Sequence, residues 1–182
     1  MRDIIASMRG RIFILKMKLL RKNIHIGKGL KIYKKLHIGG KGRVQIGEDC
    51  LVDGIIGDSS QYVCIDAVNP DSVVIIGDHA RLYAARMYAL FSIEIGDNVF
   101  IEEAAITDTS FHSIDRDRGT PIDESKENSK VKVGDRVLMG CRSVVTRGVT
   151  LSDDVCVAPG AVVTKSIPTG HLVMGNPAKI LQ

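Results

Sequence analysis

The sequence predicts an all-β chain, wound as a coil of short strands and tight bends, and three observations carry that prediction. Stepping by six from Val133, the residues Val133, Met139, Val145, Leu151, Val157 and Val163 are all aliphatic or Met. At this composition such a run has a chance of about one in a hundred. Two places earlier a second row holds the same register: Val131, Val137, Ser143, Val149, Val155 and Ala161. The third observation is compositional. There is no Trp, only 4 Phe and 4 Tyr, abundant Val and Ile, and 18 Gly. Such a mixture suits a narrow, regularly layered β interior better than a broad helical core.

Taken in order, residues 1–22 are helical in pattern. Ile4, Met8, Ile12, Leu15 and Leu19 sit three or four apart with basic residues between them, and Gly10 weakens the middle. Two readings stay open for this segment. It caps the open end of the coil, which otherwise exposes unpaired strand edges, or it lies on an anionic membrane surface. Residues 23–166 form the coil. Ile26, Ile32 and Ile38 follow Ile24, Leu30 and Leu36 by two; Ile46 and Val52 follow Val44 and Cys50; Ile76 and Leu82 follow Val74 and Ala80; Ile95 and Ile101 follow Ile93 and Val99. IG pairs at Gly27, Gly39, Gly47, Gly77 and Gly96 mark strands giving way to corners. A period of six is wrong for a helix and too long for simple strand alternation. It fits a strand plus a bend, three to a coil, and a β-sandwich would not hold it. The register lapses around 53–72, slips by one near Tyr88 and breaks over 114–130, a charged stretch with Pro and Gly that reads as an excursion loop. Residues 167–182 are a tail.

The net charge is +4. Arg2, Arg9, Arg11, Lys16, Lys18, Arg21 and Lys22 oppose only Asp3 in the first segment, and the remainder is near neutral, so no nucleic-acid footprint is expected. Cys50, Cys64, Cys141 and Cys156 form no CxxC pair and read as reduced thiols. Neither a membrane span nor a leader pattern is evident, which predicts a cytoplasmic protein, at the inner face of the membrane if the helix binds lipid. Among the histidines, His25 and His37 lie between repeat positions and should face solvent; His79 sits in an IGD corner and His171 after a Pro-Thr-Gly turn. His112 ends the segment ITDTSFHSID, where the register stops and the loop begins, a natural place for a substrate pocket.

These repeats resemble the hexapeptide-repeat acyltransferase family, most of all its bacterial polysaccharide and lipopolysaccharide O-acetyltransferases. The resemblance implies a left-handed parallel β-helix, a triangular prism whose hand runs against the usual rule for parallel connections. It also implies a homotrimer with a coenzyme A groove between subunits, acetyl-CoA as acyl donor, no metal, and a small-molecule or glycan acceptor. In the family the proton-accepting histidine lies between an IGDN corner and the loop; here that corner is Ile95–Asn98 and the histidine is His112. The C-terminal elements VVTK, IP and GNPAK are similar to the family's acetyl-CoA half. They put Gly140, Cys141, Ala158 and Pro159 beside the pantetheine arm, Thr164 and Lys165 toward the adenosine, and Lys179 near the 3′-phosphate. A carboxylate should orient His112, with Asp108 first in rank, then Asp115 or Glu102. The oxyanion should meet a backbone N–H near Gly140, and Cys141 should be a wall residue. Departures are Leu138, where the family often has Trp; Pro159, which has no N–H; and ARLYAARMYAL, which lacks the sugar-binding Asn of the galactoside and maltose branch. The expected reaction is acetyl transfer to a sugar hydroxyl in surface-polysaccharide synthesis, the alternative being N-acetylation of a nucleotide-linked amino sugar. A metal-dependent hydratase would need further histidines beside His112, and the sequence has none there.

Overall fold

In the computed structural model, which describes residues 1–55, 58, 60–110 and 126–181, short strands build three sheets of six, eight and six strands. The chain visits them in rotation: Ile24–Ile26 in the first sheet, Lys31–Ile32 in the second, Leu36–Gly40 in the third, then Arg43–Ile46 back in the first. Pairing is parallel throughout, apart from Lys179–Ile180, which runs antiparallel to Leu172–Met174 at the end of the second sheet. Register is direct. Ile24 faces Val44, Val44 faces Val74, Val74 faces Ile93 and Ile93 faces Val131. Each sequence row is therefore a column of side chains inside the prism. The rows come in pairs two residues apart because such residues share one face of a strand. The interior is filled by Ile, Val, Leu, Met, Ala and Cys, and no Phe or Tyr among the described residues is fully buried.

The corner from first to second sheet explains the IGD pairs. Its third residue takes a left-handed φ at Asp49 (52°), His79 (58°), Asn98 (57°), Arg136 (56°) and Asp154 (61°). Asp78, Asp97, Asp135 and Asp153 each accept the backbone N–H of the residue one coil earlier, namely Glu48, Asp78, Asp97 and Asp135, at 2.7–2.9 Å. A side chain on Gly47, Gly77, Gly96 or Gly134 would sit 2.2–2.3 Å from that carboxylate oxygen, so glycine precedes it. His79 is thus a corner residue.

The register faults have local causes. Leu82 to Met87 and Ile101 to Ile106 are five apart, where Met139 to Val145 are six, because the second-to-third corner loses a residue at Ala84 and Glu103, both at φ 48°. The turn after Ala89 is longer in compensation, and this is the slip seen near Tyr88. The lapse at 53–72 begins with an excursion after Leu51–Asp53, tied down by Lys34 Nζ, which donates to the carbonyls of Ile55 (2.8 Å) and Asp58 (2.9 Å). Val63–Ala67 then resumes the third sheet against Leu36–Gly40.

Helix α1 (Arg2–Leu20) lies against the first coil, but not through the expected stripe. It docks through Ala6 and Gly10, which are buried, with Phe13, Ile14 and Met17 packed on the core. Gly10 is the point of contact, since a Cβ there would lie 1.8 Å from the Leu30 carbonyl oxygen. Ile4, Met8, Ile12, Leu15 and Leu19 remain exposed. The expected loop over 114–130 lies outside the described residues up to 125; a one-turn helix, α2 (Lys126–Ser129), leads back into Val131–Val133.

Candidate active-site corner

The second-to-third corner stacks Gly140 and Cys141 directly over Ala158 and Pro159. The Gly140 N–H donates to Val157 O (2.9 Å), the Gly160 N–H to Cys141 O (2.8 Å), and the Ala158 N–H to Val173 O (2.9 Å). A side chain on Gly140 would press within 2.8–3.0 Å of the Pro159 ring, so glycine permits this close stacking. The Gly140 N–H is thereby committed to the coil ladder. The neighbouring Cys141 N–H has no carbonyl partner among the described residues.

Cys141 is half-buried. Burial pushes its thiol up, and the Glu102 carboxylate, which accepts its hydrogen bond, pushes it further. A thiol kept protonated is a poor nucleophile, which suits a wall residue. Beside it Arg142 Nε lies 3.4 Å from Glu103 Oε1.

Thr164 and Lys165 stand at the opposite edge of the third sheet, where the chain turns toward the first, and both are exposed. The outer face of that sheet, with Ala105, Val144 and Val162 in adjacent coils, joins the two edges. Lys179 is exposed on the last strand of the second sheet, and the tail is tied to the third by the Ala178 N–H, which donates to Val162 O (2.8 Å). Gly140, Cys141, Ala158 and Pro159 are thus brought together, with Lys165 at the opposite edge of the third sheet and Lys179 on the strand beyond Leu172–Met174. His112 and Asp115 lie outside the described residues.

Asp108 has a task that the sequence did not suggest. It is fully buried at the third-to-first edge. Its Oδ1 accepts the N–H of Leu90 (2.7 Å), and its Oδ2 those of Phe91 (2.8 Å) and Ser92 (2.6 Å). It closes the lengthened turn one coil earlier.

One group of described residues could hold a metal ion: His37, Cys64 and Asp66 offer donors all within 4.8 Å of one another. His37 Nε2 lies 3.7 Å from Asp66 Oδ1, and the Cys64 thiol donates to Asp66 Oδ2 at 3.3 Å. Burial and Asp66 push that thiol up to about 11, so it is not a ready thiolate ligand. His37 is half-exposed, as expected, but it has a carboxylate neighbour.

Residues 130–165 match the family model described as the hexapeptide repeat of succinyl-transferase. A 59-residue stretch is 39% identical to 2,3,4,5-tetrahydropyridine-2,6-dicarboxylate N-acetyltransferase of Staphylococcus aureus, covering 32% of this chain and 25% of that protein. The chain thus spans about a quarter of the length of the curated relatives it matches. Among solved structures, AntD, an N-acyltransferase of Bacillus cereus in complex with dTDP and 3-hydroxybutyryl-CoA, superposes with a TM-score of 0.59 at 18% identity, over 92% of this chain and 87% of that one. A galactoside acetyltransferase in complex with coenzyme A gives 0.53 at 15% identity, over 97% and 80%. The fold is a left-handed parallel β-helix, as the resemblance implied, and these solved acyltransferases share it.

Proposed function

We propose that the chain is an acyltransferase that moves an acetyl group from acetyl-CoA to a sugar hydroxyl in surface-polysaccharide synthesis. The observation that carries this reading is the stacked Gly140–Cys141 and Ala158–Pro159 corner, inside the segment that matches the hexapeptide repeat. The pantetheine arm would run along this corner, with Thr164, Lys165 and Lys179 serving the nucleotide end. The groove would be completed by a neighbouring subunit of a homotrimer in the cytoplasm.

In this mechanism a neutral imidazole of His112 takes the proton from the acceptor hydroxyl as its oxygen attacks the thioester carbonyl. The C–O bond forms, the carbonyl oxygen gains charge, and the Cys141 N–H donates to it. Collapse breaks the C–S bond, and the imidazolium returns the proton to the departing sulfur. Asp108 acts as a positioning residue, four places before His112, by fixing the strand exit that leads to it.

A second reading, N-acylation of an amino sugar on a nucleotide, draws on the N-acyltransferase in complex with dTDP, whereas the tetrahydropyridine-dicarboxylate N-acetyltransferase supports only transfer to nitrogen. Release of CoA thiol, followed with acetyl-CoA and a panel of sugar alcohols and amino sugars, separates the two. His112→Ala should lower turnover about a hundredfold while CoA binding survives, and Cys141→Ala should stay active. Near-normal turnover in the histidine variant, or an acetylated Cys141 in the wild type, would reject the mechanism.

A further inference from the structure

Helix α1 carries two apolar faces. The one built from Ala6, Gly10, Phe13, Ile14 and Met17 is spent on the first coil. At 100° per residue, the other lies across the helix and consists of Ile4, Met8, Ile12, Leu15 and Leu19. Apolar residues on opposite sides cancel, which is why the helix shows little net amphipathicity along its length. The second face is well exposed: Ile4 74%, Ile12 60% and Leu19 74%. From Ile4 to Leu19 it runs about 22 Å at the helical rise.

What flanks this stripe identifies its occupant. Lys16 borders one side, beside Arg9, whose Nη1 donates to the Tyr33 carbonyl (2.9 Å), and Arg11 and Lys18 border the other, all exposed, and Asp3 is the only acid on the helix. Asp3 already accepts a hydrogen bond from the Tyr33 hydroxyl (2.8 Å). An apolar strip between two rows of cations, on a helix held flat by its opposite side, is the arrangement that sinks into the headgroup region of an anionic bilayer. Long basic side chains reach the headgroups while the strip enters the acyl boundary. No helix among the described residues is long and apolar enough to cross a membrane, so the contact would be peripheral.

We propose that α1 serves two functions at once, capping the β-helix with one face and docking the protein on an anionic lipid surface with the other. The two sequence readings of residues 1–22 are then complementary. The proposal is independent of the acyl-transfer reading, because it uses no residue of the corner.

The test is co-sedimentation of the full chain with phosphatidylcholine vesicles, with and without about a third phosphatidylglycerol. Binding should require the anionic lipid and weaken with salt. Arg11→Gln with Lys18→Gln should lower partition about fivefold per charge. Ile12→Ser with Leu15→Ser should abolish binding while leaving circular dichroism and oligomer size unchanged, since neither residue packs on the coil. Absence of binding by the wild type, or binding unchanged in the serine variant, overturns the proposal. So does a serine variant that splits the oligomer, which would assign the stripe to a second copy of the chain.

Discussion

Asp108→Ala offers the sharpest quantitative test of the fold. The substitution leaves the N–H groups of Leu90, Phe91 and Ser92 without the carboxylate that accepts all three at 2.6–2.8 Å. Hydrogen bonds to a charged group are worth about 1.5–3 kcal/mol each. The three share one carboxylate, however, and Leu90 and Phe91 are only half-buried, so water recovers part of the loss. Only Ser92 is fully enclosed. A net cost of about 3–4 kcal/mol follows. For a chain of this length each kcal/mol lowers Tm by about 2–4 °C, which predicts a drop of about 10 °C. Thermal unfolding should be followed at fixed protein concentration, because oligomerisation makes Tm depend on it. Hydrogen exchange at residues 90–92 supplies the local readout, and those amides should lose protection before the rest of their sheets. Asp108→Asn keeps one acceptor oxygen and should fall between wild type and Ala. A Tm change below about 2 °C with unchanged exchange at 90–92 would refute this accounting.

Two further perturbations address other parts of the molecule. Gly10→Val places a Cβ against the Leu30 carbonyl, a backbone atom that cannot yield, so the helix should lift and proteases should cleave within 1–22 at a much higher rate; cleavage as slow as in wild type would show that Gly10 is not the contact. The thiols of Cys50 and Cys64 are both pushed up to about 11, chiefly by burial, from an ordinary 9.0. Above pH 9 the unfolded chain gives up these protons while the folded chain keeps them. Their contribution is complete below the ordinary value and lost as pH rises toward 11, so denaturant midpoints should decline over that window, and Cys50→Ala should flatten the decline. An equal slope in the variant would remove Cys50 from the account.

The coils were legible because direct strand register turns each column of the prism into a fixed interval in sequence. The corners were legible because one geometry recurs, a glycine where a carboxylate approaches and a left-handed residue two places on. The docking face of α1 was not. Periodicity finds large apolar residues, and the face that binds the coil uses Ala6 and Gly10, whose smallness is what admits the Leu30 backbone. Proximity in sequence ranks Asp108 first as the carboxylate beside His112, but its part in closing a turn was not legible. Three of its partners lie 16–18 residues earlier, a relation set by coil stacking and by a lengthened turn that local sequence does not announce.

The two corners of the later coils also differ in a way that bears on chemistry. From first to second sheet, the second corner residue gives its N–H to a carboxylate of the next coil at Glu48, Asp78, Asp97 and Asp135, so this edge is sealed by its own side chains. From second to third sheet no such ladder exists among the described residues. There the corresponding residues are Cys141, whose N–H has no carbonyl partner among the described residues, and Pro159, which has no N–H to leave unpaired. Proline at that place removes one donor, while its neighbour a coil earlier keeps an N–H. A sealed corner can only hold the prism together. In the proposed mechanism it is the second-to-third corner, with close stacking permitted by Gly140 and a protonated thiol beside it, that meets the incoming acyl oxygen through the Cys141 N–H.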